Sequence, residues 1–521
     1  MAVTHGTPPG GQAAAGQPTA PSIVPAGRHD GEGVIWTPDG PRLTGLAPHL
    51  AALVQCTVAS SPRAEAIADL GTGRRLGYAG LWDGASRVAG GLLAAGVRPG
   101  DRVAIRLPNG ADWCLAFLGA TLAGAIPVPV NTRLTPAEVE FIVRDSGASA
   151  VLDGLLPDGP PAASADPASE APAAIFYTSG TTGRPKGAVL SHRALLSAAE
   201  QCRLVLGLGP AEPVRNLVVA PLFHILACGM QWIPALASGG TAVIAPAFEA
   251  GAWLRAIRDE RIDVLNGVPA MYWQALRHPE FPGLDVSGVR LLSYGAAPTP
   301  PEQVRRLLEA FPAARMAPGY GLTEAPAVTC LAHEDAVEHA DSVGTAVPDT
   351  ELALLGPEAG AGAGQRLVRG PQVMSGYWQR PEATAAALKD GWLHTGDLAS
   401  VDSAGRVRIL DRRTDLINRG GENVYSIEVE RVLSRHQGVA EVAVVGVPDP
   451  MMGSKVGAVV VPRAGETVEP LDLVRIARGE LADFKVPQYV LVRTEALPRN
   501  PGGKVDKGAL RALPDWGVAL W

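Results

Sequence analysis

A loop rich in glycine and hydroxyl groups constrains the fold more than any other segment of the chain. It reads YTSGTTGRPKG, from Tyr177 to Gly187, and the apolar residues 174–176 lead into it as a predicted strand. Three glycines, four hydroxyl side chains and Lys186 in one tight turn are the groups that hold anionic phosphates. The loop is not a Walker A motif, because Lys186 follows Pro185 and no Ser or Thr comes next. The alternative, a polar surface turn, is disfavoured by so dense a cluster.

Predicted strands and helices alternate around this loop up to about residue 330. Leu81, Ala85, Val88 and Leu92 mark one face of a predicted helix, and Gly96 lies past its end as a stop signal. Such alternation is typical of an α/β architecture with parallel sheets.

A capping box and one long apolar run add detail to this part of the chain. The segment Thr135–Pro136–Ala137–Glu138 predicts a helix start, because it combines a capping box with a proline in the first turn. The apolar run at residues 113–130 is long enough to raise the question of a membrane span. Prolines lie at its end and glycines interrupt it, so we expect a buried helix followed by a buried strand, and no membrane span.

The pattern changes near residue 411, where the charged cluster DRRTD follows a predicted strand at 406–410. Beyond it the sequence predicts a helix, two strands, a helix and a strand, at 426–434, 441–447, 456–461, 471–482 and 488–492. We therefore expect a flexible N-terminal tail over residues 1–43 and a large α/β N-terminal domain over 44–411. That domain should combine layered α/β subdomains with a small β-rich subdomain. A small α+β C-terminal domain on a hinge should occupy residues 412–521.

Charge and cysteine usage exclude some classes of partner. The net charge of −7 does not indicate a basic surface that would bind a polyanion, so nucleic acid is not an expected partner. The five cysteines are dispersed, with no CxxC pair, which favours reduced thiols over a disulfide framework or a zinc site. No secretory signal is visible, and a cytoplasmic monomer or homodimer is expected.

Six further motifs follow the loop along the chain. They are PLFH at 221–224, YGAAP at 294–298, GYGLTE at 319–324, GWLHTGDL at 391–398, DRRTDLINRGGENVYSIEVE at 411–430 and LPRNPGGKVDK at 497–507. With the loop, they resemble in kind and order the signatures of the adenylate-forming superfamily, which contains acyl-CoA synthetases, adenylation domains of peptide synthetases and firefly-type luciferases. The resemblance extends from about residue 50 to residue 511.

The resemblance implies a binding site for ATP and Mg²⁺. By it, the nucleotide-binding residues are Thr178, Ser179, Gly180, Thr181, Thr182, Gly183, Lys186, Gly295, Ala296, Ala297, Gly319, Tyr320, Gly321, Thr323, Asp397, Ile409, Arg412 and Lys504. Asp397 resembles the carboxylate that accepts hydrogen bonds from both ribose hydroxyls, and its alternative is an ordinary turn aspartate after Gly396. Glu324, with Thr178, resembles the Mg²⁺ site, which suits a hard cation held by few carboxylates and by phosphate oxygens.

The resemblance also assigns a catalytic role to Lys504, His224, Thr178 and Lys186. Lys504 resembles the lysine that bridges the substrate carboxylate and the α-phosphate, where a cation stabilises the charge that builds up between two anions. His224 resembles the residue beside the reacting carbonyl that gates the thiol tunnel. A core histidine hydrogen-bonded to backbone remains the alternative for His224.

The acid is expected to lie in a roomy, apolar pocket. The predicted lining residues are His224, Ile225, Ala227, Cys228, Gly229, Val268, Met271, Gly295, Gly321 and Leu322, several of which could instead pack the core. No acidic residue occurs between Pro221 and Ala247, which disfavours an amino acid as substrate. A hydrophobic monocarboxylic acid is expected, of the medium-chain, cyclic or aromatic type.

The implied reaction has two steps, acyl-AMP formation from ATP and transfer of the acyl group to the thiol of coenzyme A. In the superfamily the small domain rotates between them about a hinge, here Thr414, and replaces Lys504 with the loop Gly420–Gly421–Glu422. Phe484 and Lys485 complete the expected CoA-binding residues. Two departures from the superfamily pattern stand out: Thr414, where Asp or Lys is usual, and a short segment at 151–175.

Three alternatives to a CoA ligase remain. An acyl-AMP ligase that loads an acyl carrier protein shares the first step, and Arg475, Phe484 and Lys485 could meet either a CoA phosphate or an acidic carrier helix. A luciferase-like oxidation has no residue in its favour. A non-catalytic binding module is disfavoured by the presence of Lys504, Asp397, Glu324 and Lys186.

Overall fold

The structure is a computed structural model. It describes residues 22–24, 34–37, 40–178, 185–208, 213–295, 299, 301–356, 359–412, 414–419, 422–501 and 503–521.

The helices of the described residues are numbered in chain order. They are α1 Leu50–Ser60, α2 Tyr78–Ala94, α3 Ala111–Leu122, α4 Pro136–Ser146, α5 His192–Val205, α6 Ile225–Ala227, α7 Ile233–Ala237, α8 Ala250–Asp259, α9 Pro269–Leu276, α10 Pro301–Ala310, α11 Pro381–Ala387, α12 Ser426–Leu433, α13 Pro470–Glu480 and α14 Lys507–Arg511. A π-helical turn, Cys228–Trp232, joins α6 to α7.

The strands are numbered in the same way. They are β1 Ser22–Val24, β2 Val34–Thr37, β3 Gly40–Leu43, β4 Glu65–Asp69, β5 Arg75–Gly77, β6 Arg102–Ile105, β7 Ile126–Pro129, β8 Ala148–Leu152, β9 Pro172–Thr178, β10 Lys186–Ser191, β11 Arg215–Val218, β12 Thr241–Ile244, β13 Val264–Gly267, β14 Leu291–Tyr294, β15 Arg315–Met316, β16 Gly319–Leu322, β17 Ala325–Cys330, β18 Thr345–Ala346, β19 Glu351–Leu355, β20 Ala363–Arg369, β21 Gly376–Tyr377, β22 Leu388–Lys389, β23 Trp392–Val401, β24 Val407–Arg412, β25 Ile417–Arg419, β26 Glu422–Val424, β27 Val439–Asp449, β28 Gly453–Pro462 and β29 Tyr489–Val492.

Parallel sheets organise the N-terminal part, as the alternating pattern predicts. A seven-stranded sheet has the order β15-β14-β13-β11-β12-β4-β5, and all its neighbours except β4 and β5 run parallel. A second, three-stranded sheet β7-β6-β8 is parallel throughout. The large α/β N-terminal domain is therefore confirmed.

The long apolar run at 113–130 forms a buried helix followed by a buried strand. It supplies most of α3 and all of β7, and the Trp113 ring stacks on Phe117 at 5.2 Å and meets Trp232 edge-on at 5.7 Å. Within the described residues, no helix has the length and apolar character that crossing a membrane requires. The capping box at Thr135 and Glu138 forms at the start of α4 as predicted, and Gly96 takes a φ of 92° past the end of α2.

An antiparallel sheet forms the small β-rich subdomain, in the order β1-β19-β20-β23-β22 with β24 paired to β23. Its first strand lies within the predicted flexible tail, since Ser22, Ile23 and Val24 pair with β19 and Val24 is buried. The hairpin β2–β3 also belongs to that tail, and Arg42 pairs with Asp349 at 2.8 Å. The parts of residues 1–43 that the structure describes are thus strands, because short apolar stretches there find sheet and ion-pair partners.

The C-terminal part is a small α+β unit. Strands β26-β25-β28-β27 form one sheet, β29 pairs with β28, and α12 and α13 cover an apolar core that includes Val429, Leu433, Leu473 and Ala477. The predicted helices and strands beyond residue 411 all form, with ends shifted by up to three residues. The connection from β8 to β9 contains no helix or strand, as expected for a shortened segment at 151–175.

The predicted hinge follows a carboxylate that belongs to the small unit. Asp411 is 1% exposed and accepts hydrogen bonds from the backbone NH and hydroxyl of Ser426, at the N-terminus of α12. Lys507 pairs with Glu430 at 2.7 Å and donates to Ser426. Burial raises the pKa of Asp411, and the charge of Lys507 opposes that rise. Thr414, the next described residue after Arg412, is exposed.

Candidate active site

The phosphate loop connects two antiparallel strands. Strand β9 ends at Thr178 and β10 begins at Lys186, which face each other in the register, and the Thr178 hydroxyl lies 3.4 Å from the Lys186 carbonyl oxygen. The predicted contacts Ser179, Gly180, Thr181, Thr182 and Gly183 lie outside the described residues. The loop therefore projects from a hairpin, unlike a Walker A loop, which opens a helix.

Lys186 and Glu324 are joined through Tyr377. The Lys186 ammonium lies 5.2 Å from the centroid of the Tyr377 ring, and the Tyr377 hydroxyl donates to Glu324 Oε1 at 2.8 Å. Burial, together with Glu324, raises the pKa of the Tyr377 phenol, so this hydroxyl stays a donor at neutral pH. The hydrogen bond orients the carboxylate that is predicted to meet Mg²⁺.

The donor set fits magnesium bound partly through substrate. Among the described residues, no group of three or more His, Cys, Asp or Glu side chains is placed to hold a metal ion. Mg²⁺ is commonly held by one or two carboxylates plus phosphate oxygens, so Glu324 alone on the protein side suits it. Thr178, the second predicted ligand, is half-buried at the end of β9.

Asp397 sits at the centre of a buried charge cluster. Its backbone follows Gly396, whose φ of 75° turns the strand, and its side chain is 4% exposed. The Tyr320 hydroxyl donates to Asp397 Oδ2, and Arg412 Nε lies 3.4 Å from Oδ1. Strands β23 and β24 set this pairing, because Asp397 and Arg412 are opposite each other in the register. The site thus presents a buried carboxylate between a phenol and a guanidinium.

Close backbone approach explains two glycines among the predicted nucleotide-binding residues. A Cβ on Gly295 would lie 2.7 Å from the Gly319 carbonyl oxygen, and one on Gly321 would lie 1.8 Å from that of Pro326. The end of β14 therefore packs directly against β16, which carries Tyr320. Ala296 and Ala297 lie outside the described residues.

Thr323 and Ile409, the remaining predicted nucleotide contacts, are both half-buried. Thr323 lies directly between β16 and β17, next to Glu324. Ile409 pairs with Ala399 across β24 and β23, and its side chain packs against the main core. Ile409 therefore lies on the strand pair that carries Asp397 and Arg412.

Lys504 enters the same cleft from the C-terminal unit. It is on a tight turn in which Lys504 N donates to Asn500 Oδ1 at 3.1 Å and Asn500 N donates to the Lys504 carbonyl at 2.9 Å. Burial lowers the pKa of Lys504, and Arg412 lowers it further. Asp397 and Glu324 act in the opposite direction. Lys504 is nevertheless exposed to solvent as a residue, which is consistent with a side chain in an open cleft.

Two residues of the N-terminal domain hold the Lys504 turn. Asn131 Nδ2 and an Arg133 guanidinium nitrogen donate to the Pro501 carbonyl at 3.1 and 3.3 Å. Both come from the segment between β7 and α4. Among the described residues, this carbonyl therefore links the Lys504 turn to the N-terminal domain.

His224 lies half-buried at the start of α6, close to Lys504. Burial lowers the pKa of His224 to about 4, and the charges of Arg133 and Lys504 contribute. Its ring makes no hydrogen bond with the described part of the chain, which counts against a core histidine tied to backbone. The imidazole is therefore neutral at pH 7 and lies within electrostatic range of Lys504.

The predicted pocket residues differ in exposure. Ile225, Val268, Met271 and Leu322 are half-buried, whereas Cys228 is fully buried beside Cys114. A Cβ on Gly229 would lie 2.7 Å from the Ile225 side chain, so this glycine leaves room for Ile225. Cys228 thus packs the core in this arrangement, and Ile225, Val268, Met271 and Leu322 keep part of their surface exposed.

The predicted CoA-binding residues converge in the C-terminal unit. Glu422 starts β26, whose hairpin packs against the short 3₁₀ turn Asp483–Lys485. Lys485 donates to both oxygens of Glu428 at 2.8 Å, and its ammonium lies 5.7 Å from the Phe484 ring. Gly420 and Gly421, between β25 and β26, lie outside the described residues.

Sequence reasoning missed Arg366, Tyr377, Asn131 and Arg133. Arg366 is a charged residue directly before the apolar pair Leu367–Val368, and this local pattern alone does not indicate a site. The other three act through contacts with segments 53 to 370 positions away in the chain. Such contacts leave no trace in a local pattern.

Comparison with known proteins decides the family. The AMP-binding enzyme family matches residues 54–159 and 153–378, and the AMP-binding enzyme C-terminal domain matches residues 428–504. The chain belongs to the AMP-binding enzyme family. Its motifs are thus those of an ATP-dependent ligase that forms AMP and a thioester, and the acyl-CoA synthetase activity expected from the resemblance is confirmed.

Similar AMP-binding enzymes act on acids of different shapes. A feruloyl-CoA synthase of Amycolatopsis sp. is 40% identical over 87% of this chain and 96% of its own length. A 3-[(3aS,4S,7aS)-7a-methyl-1,5-dioxo-octahydro-1H-inden-4-yl]propanoyl:CoA ligase of Mycobacterium tuberculosis is 37% identical over 84% and 94%. The solved o-succinylbenzoate CoA synthetase of Bacillus subtilis, in complex with its acyl-adenylate intermediate, superposes with a TM-score of 0.80 at 28% identity, over 91% of this chain and all of that one.

Proposed function

We propose that this protein activates a hydrophobic monocarboxylic acid of the aromatic, cyclic or medium-chain type, through an acyl-adenylate, and transfers the acyl group to CoA. One observation carries the assignment of the site. Lys504 lies close enough to Asp397, Glu324 and Arg412 for all three charges to act on its pKa. A cation from the C-terminal unit is therefore within electrostatic range of the predicted ribose carboxylate, the predicted magnesium carboxylate and Arg412.

In the first step a carboxylate oxygen of the acid attacks the α-phosphorus of ATP, and the bond to pyrophosphate breaks. Both reactants are anions, so the barrier includes their repulsion. Lys504 supplies positive charge between them, and Arg412 adds a second cation beside Asp397. Preorganised charge of this kind is worth a factor of about 10²–10³ in rate for each group.

The opposite end of ATP faces the loop between Thr178 and Lys186. Lys186 is held beside Glu324 through Tyr377, so a cation and a carboxylate lie together at this end. Bound Mg²⁺ would neutralise phosphate charge there. Lys186 would then contact the leaving pyrophosphate, and Glu324 would keep its orientation through the Tyr377 hydroxyl.

His224 and its neighbours support the proposed class of acid. A neutral imidazole offers a hydrogen bond to the acid without adding a second cation that would compete with Lys504 for the carboxylate. Three of the predicted pocket residues, Ile225, Met271 and Leu322, are half-buried and apolar, and they give no counter-charge for a second carboxylate or an ammonium group. The feruloyl and ring-bearing propanoyl groups named for two relatives fit that chemistry.

In the second step the CoA thiol attacks the acyl carbonyl, its proton is lost to solvent or a base, and AMP leaves. Lys504 would lie beside the acyl carbonyl after the first step, so on this proposal the small unit rotates about Thr414 before the thiol enters. The hairpin with Glu422 would then line the thiol channel, and Lys485 would exchange Glu428 for a CoA phosphate. A carrier-protein thiol would need the same rotation, and it is the alternative acceptor.

Five cysteines that are all free agree with the expected reducing, cytoplasmic environment. The expected state, a monomer or a homodimer, stays a prediction that size-exclusion chromatography with light scattering would settle.

The test is a panel of acids incubated with ATP and Mg²⁺, with and without CoA, with products read by mass spectrometry. The panel contains ferulic acid, a ring-bearing propanoic acid, octanoic acid, succinic acid and phenylalanine. We expect AMP and acyl-CoA from the first three and little from the dicarboxylic and amino acids. Acyl-AMP that accumulates with CoA but is consumed by an acyl carrier protein would favour the alternative acceptor. Pyrophosphate from none of the acids would contradict the proposed class of substrate.

A further inference from the structure

Arg366 is a fully buried arginine beside the predicted ribose-binding carboxylate. It is 1% exposed, and its Nη2 donates to Asp397 Oδ2 at 3.2 Å. Its guanidinium carbon lies 3.9 Å from the centroid of the Tyr320 ring, the same residue that donates to Asp397. One cation therefore touches both the carboxylate and the aromatic ring of the nucleotide side.

An irregularity in the sheet places Arg366 there. The pairing of β20 with β23 shifts register between Gln365 and Leu367, and the Arg366 carbonyl accepts from the Thr395 hydroxyl at 2.8 Å. Thr395 Oγ1 also accepts from Asp397 N at 3.1 Å. The bulge thus aligns Arg366 with Asp397 through one shared hydroxyl.

Stability of the fold does not explain why an arginine is present at position 366. Its Nε and Nη1 are buried and have no hydrogen-bond partner in the described part of the chain. Buried donors without acceptors are destabilising, and an apolar residue of similar volume is often tolerated better than a buried ion pair. A role in the site explains the cost.

Arg366 and Arg412 differ in how firmly each is attached to the N-terminal domain. Arg412 is 43% exposed on the strand that leads into the predicted hinge, at 3.4 Å from the carboxylate. Arg366 lies on a central strand of its sheet, between β19 and β23. A movement about Thr414 would change the surroundings of Arg412 and leave those of Arg366 as they are.

We propose that Arg366 is a positioning residue that serves as the permanent counter-ion of Asp397, holding this carboxylate and Tyr320 in place for the ribose and base in both half-reactions. The inference rests on the proposed ribose role of Asp397. Arg366 acts through Asp397, and it is not itself expected to contact the reacting phosphorus.

The test compares ATP with 3′-deoxy-ATP. The two nucleotides differ only in the ribose 3′-hydroxyl, which Asp397 is predicted to bind. The ratio of kcat/KM for the two nucleotides is measured in acyl-AMP formation for the wild type, Arg366→Met, Arg366→Lys and Asp397→Asn. Arg369→Met is the matched control: Arg369 lies on the same strand and also contacts a carboxylate, Glu351, and an aromatic ring, Trp392, away from the site. Thermal unfolding of each variant reports on the fold.

We expect the wild type and Arg369→Met to prefer ATP about tenfold or more, as sites that pair a substrate hydroxyl do. Arg366→Met should bring the ratio close to one, chiefly through a higher KM for ATP, and Arg366→Lys should recover most of it. A structural role would weaken both nucleotides equally and keep the ratio. If Arg366→Met does not fold, Arg366→Gln carries the same expectation.

Two results would overturn the proposal, and they are distinguishable. In the first, Asp397→Asn lowers the ratio of kcat/KM for ATP to that for 3′-deoxy-ATP while Arg366→Met leaves it unchanged. In that case Arg366 has no part in binding the ribose, and the proposed function stands. If Asp397→Asn keeps the ratio as well, the ribose role of Asp397 fails, and the inference fails with it.

Discussion

The two sides of the cleft are built in different ways. On the nucleotide side, Asp397 is held by Tyr320, Arg366 and Arg412, and most of this cluster is buried. On the acid side, Lys504 stands on a turn that is joined to the N-terminal domain through one carbonyl group. The proposed two-step mechanism needs this difference, because in it the nucleotide stays bound through both steps while Lys504 leaves the acid between them. We call the nucleotide side, around Asp397, the rigid side, and the acid side, with Lys504, the removable side. Separate predictions follow for each.

The largest expected effect comes from Lys504 itself. Lys504→Ala should slow acyl-AMP formation by about 10³-fold, since it removes the cation between two anions. Conversion of supplied acyl-AMP and CoA to thioester should change less than threefold. Rapid-quench measurement of the two half-reactions checks this. Equal losses in both would erase the distinction between the two sides.

A smaller effect, of a different kind, is expected on the rigid side. Asp397→Asn should weaken AMP binding by about 10²-fold, because a buried acceptor of two hydroxyl groups is replaced by a weaker one and two arginines lose their anion. Both half-reactions should suffer, unlike in the lysine variant. Isothermal titration calorimetry with AMP, with Asp402→Asn as a control carboxylate on the same sheet, measures it. Unchanged AMP affinity would remove Asp397 from the nucleotide site.

The link through Pro501 is expected to contribute less. Asn131→Ala combined with Arg133→Ala removes both donors to this carbonyl and should slow acyl-AMP formation by about threefold to tenfold. Thioester formation from supplied acyl-AMP should be unaffected or faster, because the removable side is held less firmly. Arg98→Ala, a surface change between α2 and β6, is the control. Slower thioester formation alone would contradict this role.

The last prediction concerns how the stability of the protein depends on pH, through His224 on the acid side. The unfolded chain protonates His224 near pH 6.5, whereas the folded chain does so only near pH 4. The folded state therefore binds fewer protons in this interval, and its stability falls as the pH drops from 6.5 towards 4. His224→Gln should reduce that loss by about 2 kcal/mol at pH 5. Urea unfolding at pH 7 and pH 5 measures the difference, and an equal loss in variant and wild type would contradict it.

The sequence predicted the parts that depend on local pattern. Thr135 and Glu138 form their capping box, and Thr178 ends a strand that enters the phosphate loop. The motifs also predicted that Asp397, Arg412, Glu324 and Lys504 would meet, although they lie up to 180 positions apart. Here the prediction came from resemblance to a family, since no spacing rule brings such distant residues together.

What the sequence did not reveal depends on irregular or distant geometry. The pairing register of β20 shifts beside Arg366, and the alternation of residues along a strand cannot signal a bulge of this kind. Pro501 meets Asn131 across 370 positions and through a backbone atom that every residue possesses. The tail residues 22–24 join a sheet because of a partner strand, β19, that lies more than 300 positions away.

The most direct test locks the removable side in place. Cysteines introduced as Asn131→Cys and Pro501→Cys, in a Cys56→Ser background that removes the one exposed native thiol among the described cysteines, can be joined by a short thiol cross-linker. The locked protein should release pyrophosphate and accumulate acyl-AMP at a rate near that of the wild type, yet form no acyl-CoA. Single-cysteine variants treated with the same reagent should complete both steps. Acyl-CoA formed by the locked protein at the wild-type rate would contradict a Lys504 turn that leaves between the two steps.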